Sequence, residues 1–193
     1  TDGSLSPQWV VKKLSDEAAK NTIWVAGVGQ HQMWASQLVD FTQPRSWLSS
    51  AGAGTMGYGL PAALGARVAS ERDFNGEKPV WLIDGDGSFQ MTSQEMATLF
   101  QEHAPIKIAI LNNSVYGMVR QWQTLFFDEH YSATMLHDGD EHAGNTGSEE
   151  FFDVPDFVKL AEAYGCVGLR ATTQKEAEEA IKTANSINDR AVL

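Results

Sequence analysis

A three-layer α/β fold, with a mainly parallel sheet of six strands between helices, is the architecture this sequence predicts. Two observations carry that prediction. Short aliphatic runs bounded by Gly, Asp or Asn, such as Ile23–Ala26, Val80–Ile83 and Ile106–Leu111, have the character of strands buried on both faces. Helical stretches separate those runs, and repeated strand–helix alternation produces a parallel sheet covered on both sides.

Taken in order, Ser6 and Pro7 read as N-cap and first residue of a helix through Lys20. The strand Ile23–Ala26 leads through Gly27-Val28-Gly29 to a helix over Gln30–Asp40. Trp47–Ser50 makes a poor, short strand, and Gly57–Ser70 reads as the next helix. Val80–Ile83 ends in the turn Asp84-Gly85-Asp86-Gly87-Ser88, followed by a helix over Gln94–His103 with a capping box at Thr92-Ser93-Gln94-Glu95. Ile106–Leu111 ends at Asn112-Asn113 and is followed by a helix over Tyr116–Phe127. Leu136–Asp153 breaks the pattern and reads as an exposed loop. A helix over Pro155–Tyr164, a strand near Cys166–Arg170, a helix from Gln174 to about Asn185 with a capping box at Thr173, and a strand just begun at Arg190–Leu193 complete the chain. Both ends read as those of one domain, residues 1–193, within a longer polypeptide.

Composition narrows the function. The 193 residues are 42% hydrophobic with six Trp, enough for one packed domain. A net charge of −11 repels nucleic-acid phosphates and anionic lipid, and no apolar stretch approaches the roughly 20 residues that span a bilayer. The single cysteine, Cys166, excludes an intrachain disulfide and suits a reducing compartment, so a cytoplasmic location is expected. Cys166 itself reads as a small core residue at a strand start.

In open α/β sheets, ligands bind beyond the carboxyl ends of the strands. Three turns fall there and are expected to converge: Gly27–His31, Asp84–Ser88 and Asn112-Asn113. Asp86 offers a carboxylate between two glycines, and Asn113 offers a second oxygen from the neighbouring strand end. That is the donor chemistry of a hard divalent cation, and Mg²⁺ in particular takes few protein ligands and completes its shell with phosphate and water. The motif turns hold no Lys or Arg, so a bound phosphate would be neutralised by the cation, glycine amides and a helix N-terminus.

Gly85-Asp86-Gly87, followed after 24 residues by Asn112-Asn113, resembles the signature of thiamine-diphosphate-dependent enzymes. Three longer segments resemble acetohydroxyacid synthases in particular: Gly27–Trp34, Gly54–Ala63 and Gly117–Gln123. The resemblance spans nearly the whole chain outside Leu136–Asp153. It implies Mg²⁺ held by Asp86, the Asn113 side chain and the Val115 carbonyl, with the cofactor diphosphate completing the shell. It also implies diphosphate contacts from Gln30, His31 and the amides of Gly87 and Ser88, further cofactor contacts from Gly117 and Met118, and pyrimidine contacts from the Gly54 carbonyl and the Met56 amide. The Met56 side chain would be wedged beneath the cofactor, enforcing the bend that brings its aminopyrimidine to the thiazolium carbon.

Met118 and Trp122 lie one turn apart and can share a helix face. The resemblance implies that Trp122 lines a substrate channel. For the whole protein it implies decarboxylation of pyruvate and condensation of the two-carbon unit with pyruvate or 2-ketobutyrate, in branched-chain amino-acid synthesis. It further implies FAD on a middle domain, an activating glutamate on the pyrimidine-binding domain of an adjacent subunit, and a homodimer or homotetramer with a regulatory small subunit. The isolated domain is then expected to be inactive.

Other readings fit less well. Gly52-x-Gly54-x-x-Gly57 has the form of a dinucleotide fingerprint, but the acid ending the next strand, Asp84, lies 32 residues past Gly52 against roughly 20 expected. Asp84, Asp86, Ser88 and Glu95 match positions of an EF-hand loop, yet Phe89 stands where its turn needs glycine. The His137–His142 segment, with two His and three acids, reads as solvated surface rather than a metal site.

Overall fold

The computed structural model describes residues 5–136 and 154–193. The loop expected over Leu136–Asp153, with its His137–His142 segment, lies outside the described residues apart from Leu136.

β1 (Ile23–Ala26), β2 (Trp47–Ser49), β3 (Val80–Gly85) and β4 (Lys107–Leu111) form a parallel sheet in the order β2-β1-β3-β4. The short run after Arg45, a weak strand by sequence, is thus the edge strand, pairing Trp24 with Trp47 and Ala26 with Ser49. Four strands stand where six were expected. The segments around Val167 and Val192 continue the parallel pairing beyond β4, but Val192 makes only one bridge to Lys107 and one to Val167. Pairing that brief gives a hydrogen-bonded border, with Val192 N–H on Ile106 O at 3.0 Å and Val167 N–H on Ala191 O at 3.0 Å, without full strands.

Successive strand residues face opposite layers, as the pleat requires. Val25, Val80, Leu82, Ile106 and Ile108 pack on one side against α3 (Gly59–Phe74), α5 (Met96–Gln101) and α7 (Phe157–Ala163) through Leu60, Ala63, Leu99 and Ala161. Trp24, Ala26, Trp81 and Ile83 pack on the other against α1 (Pro7–Glu17), α2 (Gln30–Leu38) and α8 (Gln174–Ser186) through Val11, Leu14, Ala35 and Ile181. Among the described residues, no helix is long and apolar enough to cross a membrane.

Ser6 caps α1 as expected, with Pro7 at its first position. The capping box of α8 is complete: Thr173 Oγ1 accepts from Glu176 N–H at 3.3 Å and the Glu176 carboxylate accepts from Thr173 N–H at 3.0 Å. The second expected box, at Thr92, does not form. Its hydroxyl donates instead to the Gly57 carbonyl at 2.8 Å, and Ser93–Glu95 makes a 3₁₀ turn before α5 begins at Met96. The Asp84–Ser88 turn is also more regular than expected, since β3 runs to Gly85 and α4 (Asp86–Gln90) follows at once. Phe89 anchors α4, fully buried with its ring edge-on to Phe157 at 5.8 Å.

Candidate functional site

Because the strands are parallel and in register, with Ala26 beside Ile83 and Gly85 beside Leu111, the ends of β1, β3 and β4 emerge on one edge. There the three turns meet. Gly27 approaches β3 so closely that a Cβ would overlap the Asp84 carboxylate. The buried Ser88 hydroxyl accepts from Val28 N–H at 3.4 Å and from Gly57 N–H at 3.3 Å, tying the loops before α2 and α3 to α4. α6 (Gly117–Phe126) enters over α4, where the Tyr116 ring fills the space that a side chain on Gly87 would need.

These segments enclose a cleft of about 240 Å³. Its wall includes Gln30, His31, Gly54, Met56, Asp86, Gly87, Ser88, Asn113, Val115, Gly117 and Met118, so the cofactor and metal residues expected from sequence lie together. A second, more open groove of about 350 Å³ adjoins it, sharing Gln30, Asn113, Val115 and Gly117 and bordered by Arg120, Gln121 and Tyr131.

Asp86 is 2% exposed. Its Oδ1 accepts from Gly87 N–H at 3.0 Å and its Oδ2 from Ser114 N–H at 2.6 Å. Burial pushes its pKa above the usual carboxylate value, against the pull of the Gly87 and Ser114 amides. Each carboxylate oxygen has lone pairs beyond the one engaged by an amide. The Asn113 Oδ1 accepts from Val115 N–H at 3.3 Å, which holds the amide oxygen over the same turn. Val115 bridges Met135 through neighbours' groups, Tyr116 N–H to Thr134 O and Leu136 N–H to Ser114 O, both at 2.8 Å, so its own carbonyl stays out of that pairing.

The rest of the wall suits an anion. Gln30 and His31 open α2 and Gly117 and Met118 open α6, and neither helix has a side-chain cap. Leading amides of a helix have no partner within it and carry the positive end of its dipole. Among the described residues, no Lys or Arg lines the cleft. The Gly87 amide expected to meet a phosphate is engaged here by the Asp86 carboxylate, and the Gln30 side-chain amide donates to Gln121 Oε1 at 3.0 Å.

Met56 and Met118 are half-buried in the wall. Trp122 is not in it. That side chain is 59% exposed and stands with Val119, Leu125, Phe126 and Phe127 on an apolar face of α6 and its end. Sequence reasoning missed Tyr116, which packs on Gly87, and Trp34, which lines the cleft. It also treated Asp84 as a mere strand end. The glycines that make room for that carboxylate, Gly27 and Gly59, are far from it in sequence, so no local signal marks it.

The family described as "Thiamine pyrophosphate enzyme, C-terminal TPP binding domain" matches residues 27–193. Among curated proteins, the chain is 49% identical over 193 residues to an acetolactate synthase of Mycobacterium leprae, covering 100% of this chain and 28% of that protein. It is 51% identical over 189 residues to the acetolactate synthase large subunit of Corynebacterium glutamicum, covering 98% and 28%. The mitochondrial acetolactate synthase catalytic subunit of Saccharomyces cerevisiae is 46% identical over 186 residues, covering 94% and 24%. The chain thus spans about a quarter of the length of these relatives. With the sheet, the convergent turns and this match along most of its length, the chain belongs to the thiamine pyrophosphate enzymes, as their C-terminal TPP-binding domain.

Proposed function

We propose that the cleft holds the diphosphate of thiamine diphosphate through Mg²⁺, within a protein that acts as an acetolactate synthase. The observation that carries this reading is the meeting of Asp86 and the Asn113 turn across the adjacent ends of β3 and β4, in a cleft walled by two uncapped helix starts. The donor set fits the ion: it is all oxygen with a single carboxylate, as suits a cation that shares its shell with phosphate. Among the described residues, no cluster of three or more His, Cys, Asp or Glu competes for a metal.

Asp86, the Asn113 side chain and the Val115 carbonyl are the ligands in this reading. Gln30, His31, Gly87 and Ser88 receive the diphosphate, with Gly117 and Met118 closing over it. Gly54 and Met56 serve the pyrimidine, and the Met56 side chain supports the bent cofactor from the wall. When bound, the cofactor supplies a nucleophilic carbon and an electron sink for decarboxylating a 2-keto acid. The chain's own part is to bind, orient and exclude water.

The wider protein, on this reading, condenses the two-carbon unit of pyruvate with a second pyruvate or with 2-ketobutyrate, carries FAD on another domain, and resides in the cytoplasm. Its activating glutamate comes from the pyrimidine-binding domain of an adjacent subunit in a homodimer or homotetramer, served by a regulatory small subunit. The apolar face of α6 supports such a partner, since five large side chains from Val119 to Phe127 stand exposed there.

The test is a product assay on the full-length polypeptide. Pyruvate with thiamine diphosphate and Mg²⁺ should yield CO₂ and acetolactate, while residues 1–193 alone should yield neither. Acetaldehyde or acetate as the main product would assign the protein to another 2-keto-acid decarboxylase or oxidase.

A further inference from the structure

Asp84, near the end of β3, has no exposed surface, and among the described residues its one ion-pair-range neighbour is a histidine. Its carboxylate occupies the space left by two glycines: a Cβ on Gly59 would come 2.6 Å from Oδ2, and one on Gly27 would overlap Oδ1. Oδ1 accepts from the adjacent Gly85 N–H at 2.9 Å, and Oδ2 has no hydrogen-bond partner. The histidine is His31, whose Nε2 lies 3.3 Å from Asp84 Oδ1, is buried, and also lacks a hydrogen bond of good geometry. The imidazole is confined between Gly29 and Gly85, where added Cβ atoms would approach Nδ1 to 2.9 and 2.8 Å. The ring nevertheless forms part of the cleft wall.

The unpartnered Nε2 thus faces, across 3.3 Å, a buried carboxylate oxygen whose one printed hydrogen bond is from the Gly85 amide. Leaving Nε2 unsatisfied is unfavourable, and a shift of a few tenths of an ångström along Nε2–Oδ1 gives it a partner, since a carboxylate oxygen can accept a second hydrogen bond. A carboxylate only accepts, so the nitrogen turned toward it must carry a hydrogen. The contacts with Gly29 and Gly85 then fix the ring where it forms part of the cleft wall. We propose that Asp84 is a positioning residue, holding His31 through Nε2–H so that the imidazole keeps its place in the wall that meets the anionic ligand of the cleft. This rests on the cofactor reading above.

The experiment is a double-mutant cycle on the full-length polypeptide, read as the Kd of thiamine diphosphate in the presence of Mg²⁺ by calorimetry. Asp84→Ala should weaken binding about tenfold when His31 is present and by less than about twofold in the His31→Ala background. Asp84→Asn, which retains an oxygen at Oδ1, should bind much as the unaltered protein does. Equal losses in both backgrounds, or no loss, would overturn the proposal. If Asp84→Ala fails to fold, ¹⁵N-histidine NMR on the unaltered protein decides: a hydrogen on His31 Nε2 is expected, and a ring protonated at Nδ1 alone would overturn it. Failure of the unaltered protein to bind thiamine diphosphate at all would instead remove the cofactor reading, a result distinct from either arm.

Discussion

The Asp86 carboxylate accepts the amide of Ser114 at 2.6 Å, and this contact joins the ends of β3 and β4 across 28 residues of chain. Ser114 adopts a left-handed backbone with φ 55°, which turns its amide inward to Asp86 while Asn113 and Val115 stay on the cleft wall. The buried carboxylate is therefore held in place before any ligand arrives. Because burial raises its folded pKa, the ionised form weighs against the fold above that pKa, and the penalty fades as pH falls through it. A cation at Asp86 offsets the same penalty, so Mg²⁺ and thiamine diphosphate added together should raise Tm more than either alone.

Lys107 tests the electrostatics of the opposite edge. It opens β4 at 4% exposure, and among the described residues no carboxylate pairs with it. Burial, and then the charge of Arg67, lower its pKa. A lowered lysine pKa means the cation is disfavoured in the fold below that pKa, and the penalty vanishes as pH rises through it. Lys107→Met should stabilise the protein by about 1 kcal/mol near neutral pH, roughly 2–4 °C in Tm, with the gain shrinking toward about pH 10. Thermal melts across that range would show it.

Gly27 tests the close approach that shapes the cleft. Its Cβ position is taken by the Asp84 carboxylate and by Ser88 Oγ at 2.7 Å, neither of which is the loose end of a flexible chain. Gly27→Ala should destabilise by about 1–3 kcal/mol and weaken cofactor binding together. Gly52→Ala, with open space around its Cβ, is the control and should change stability far less.

Trp122 tests substrate choice. It is exposed on the α6 face one turn beyond Met118, and on the function proposed above it forms a substrate wall with a partner domain. One methylene against an aromatic wall is worth about 1–3 kcal/mol. Trp122→Leu in the full-length enzyme should lower the ratio of acetohydroxybutyrate to acetolactate by about tenfold, with pyruvate decarboxylation retained. Competition between the two keto acids measures the ratio. An unchanged ratio with lower stability would make Trp122 a packing residue.

The strand–helix order and the convergence of Gln30, Asp86 and Asn113 were legible because buried parallel strands leave continuous aliphatic runs and their ends leave glycines and amides. What escaped depends on partners distant in sequence. Thr92 has the residues of a capping box, but the Gly57 carbonyl, 35 residues away, competes for its hydroxyl. Val192 reads as a strand residue, yet finds only one bridge on each side. The pairing of Asp84 with His31 needs two helices and two strands in place before it can be seen.

The most direct measurement is the calorimetric titration of thiamine diphosphate into the full-length polypeptide, with and without Mg²⁺, for the unaltered protein and for Asp86→Ala. The account expects Mg²⁺-dependent binding in the former. In the variant it expects loss of that dependence, with a folded domain by circular dichroism. Unchanged Mg²⁺-dependent affinity in a folded Asp86→Ala variant would contradict it.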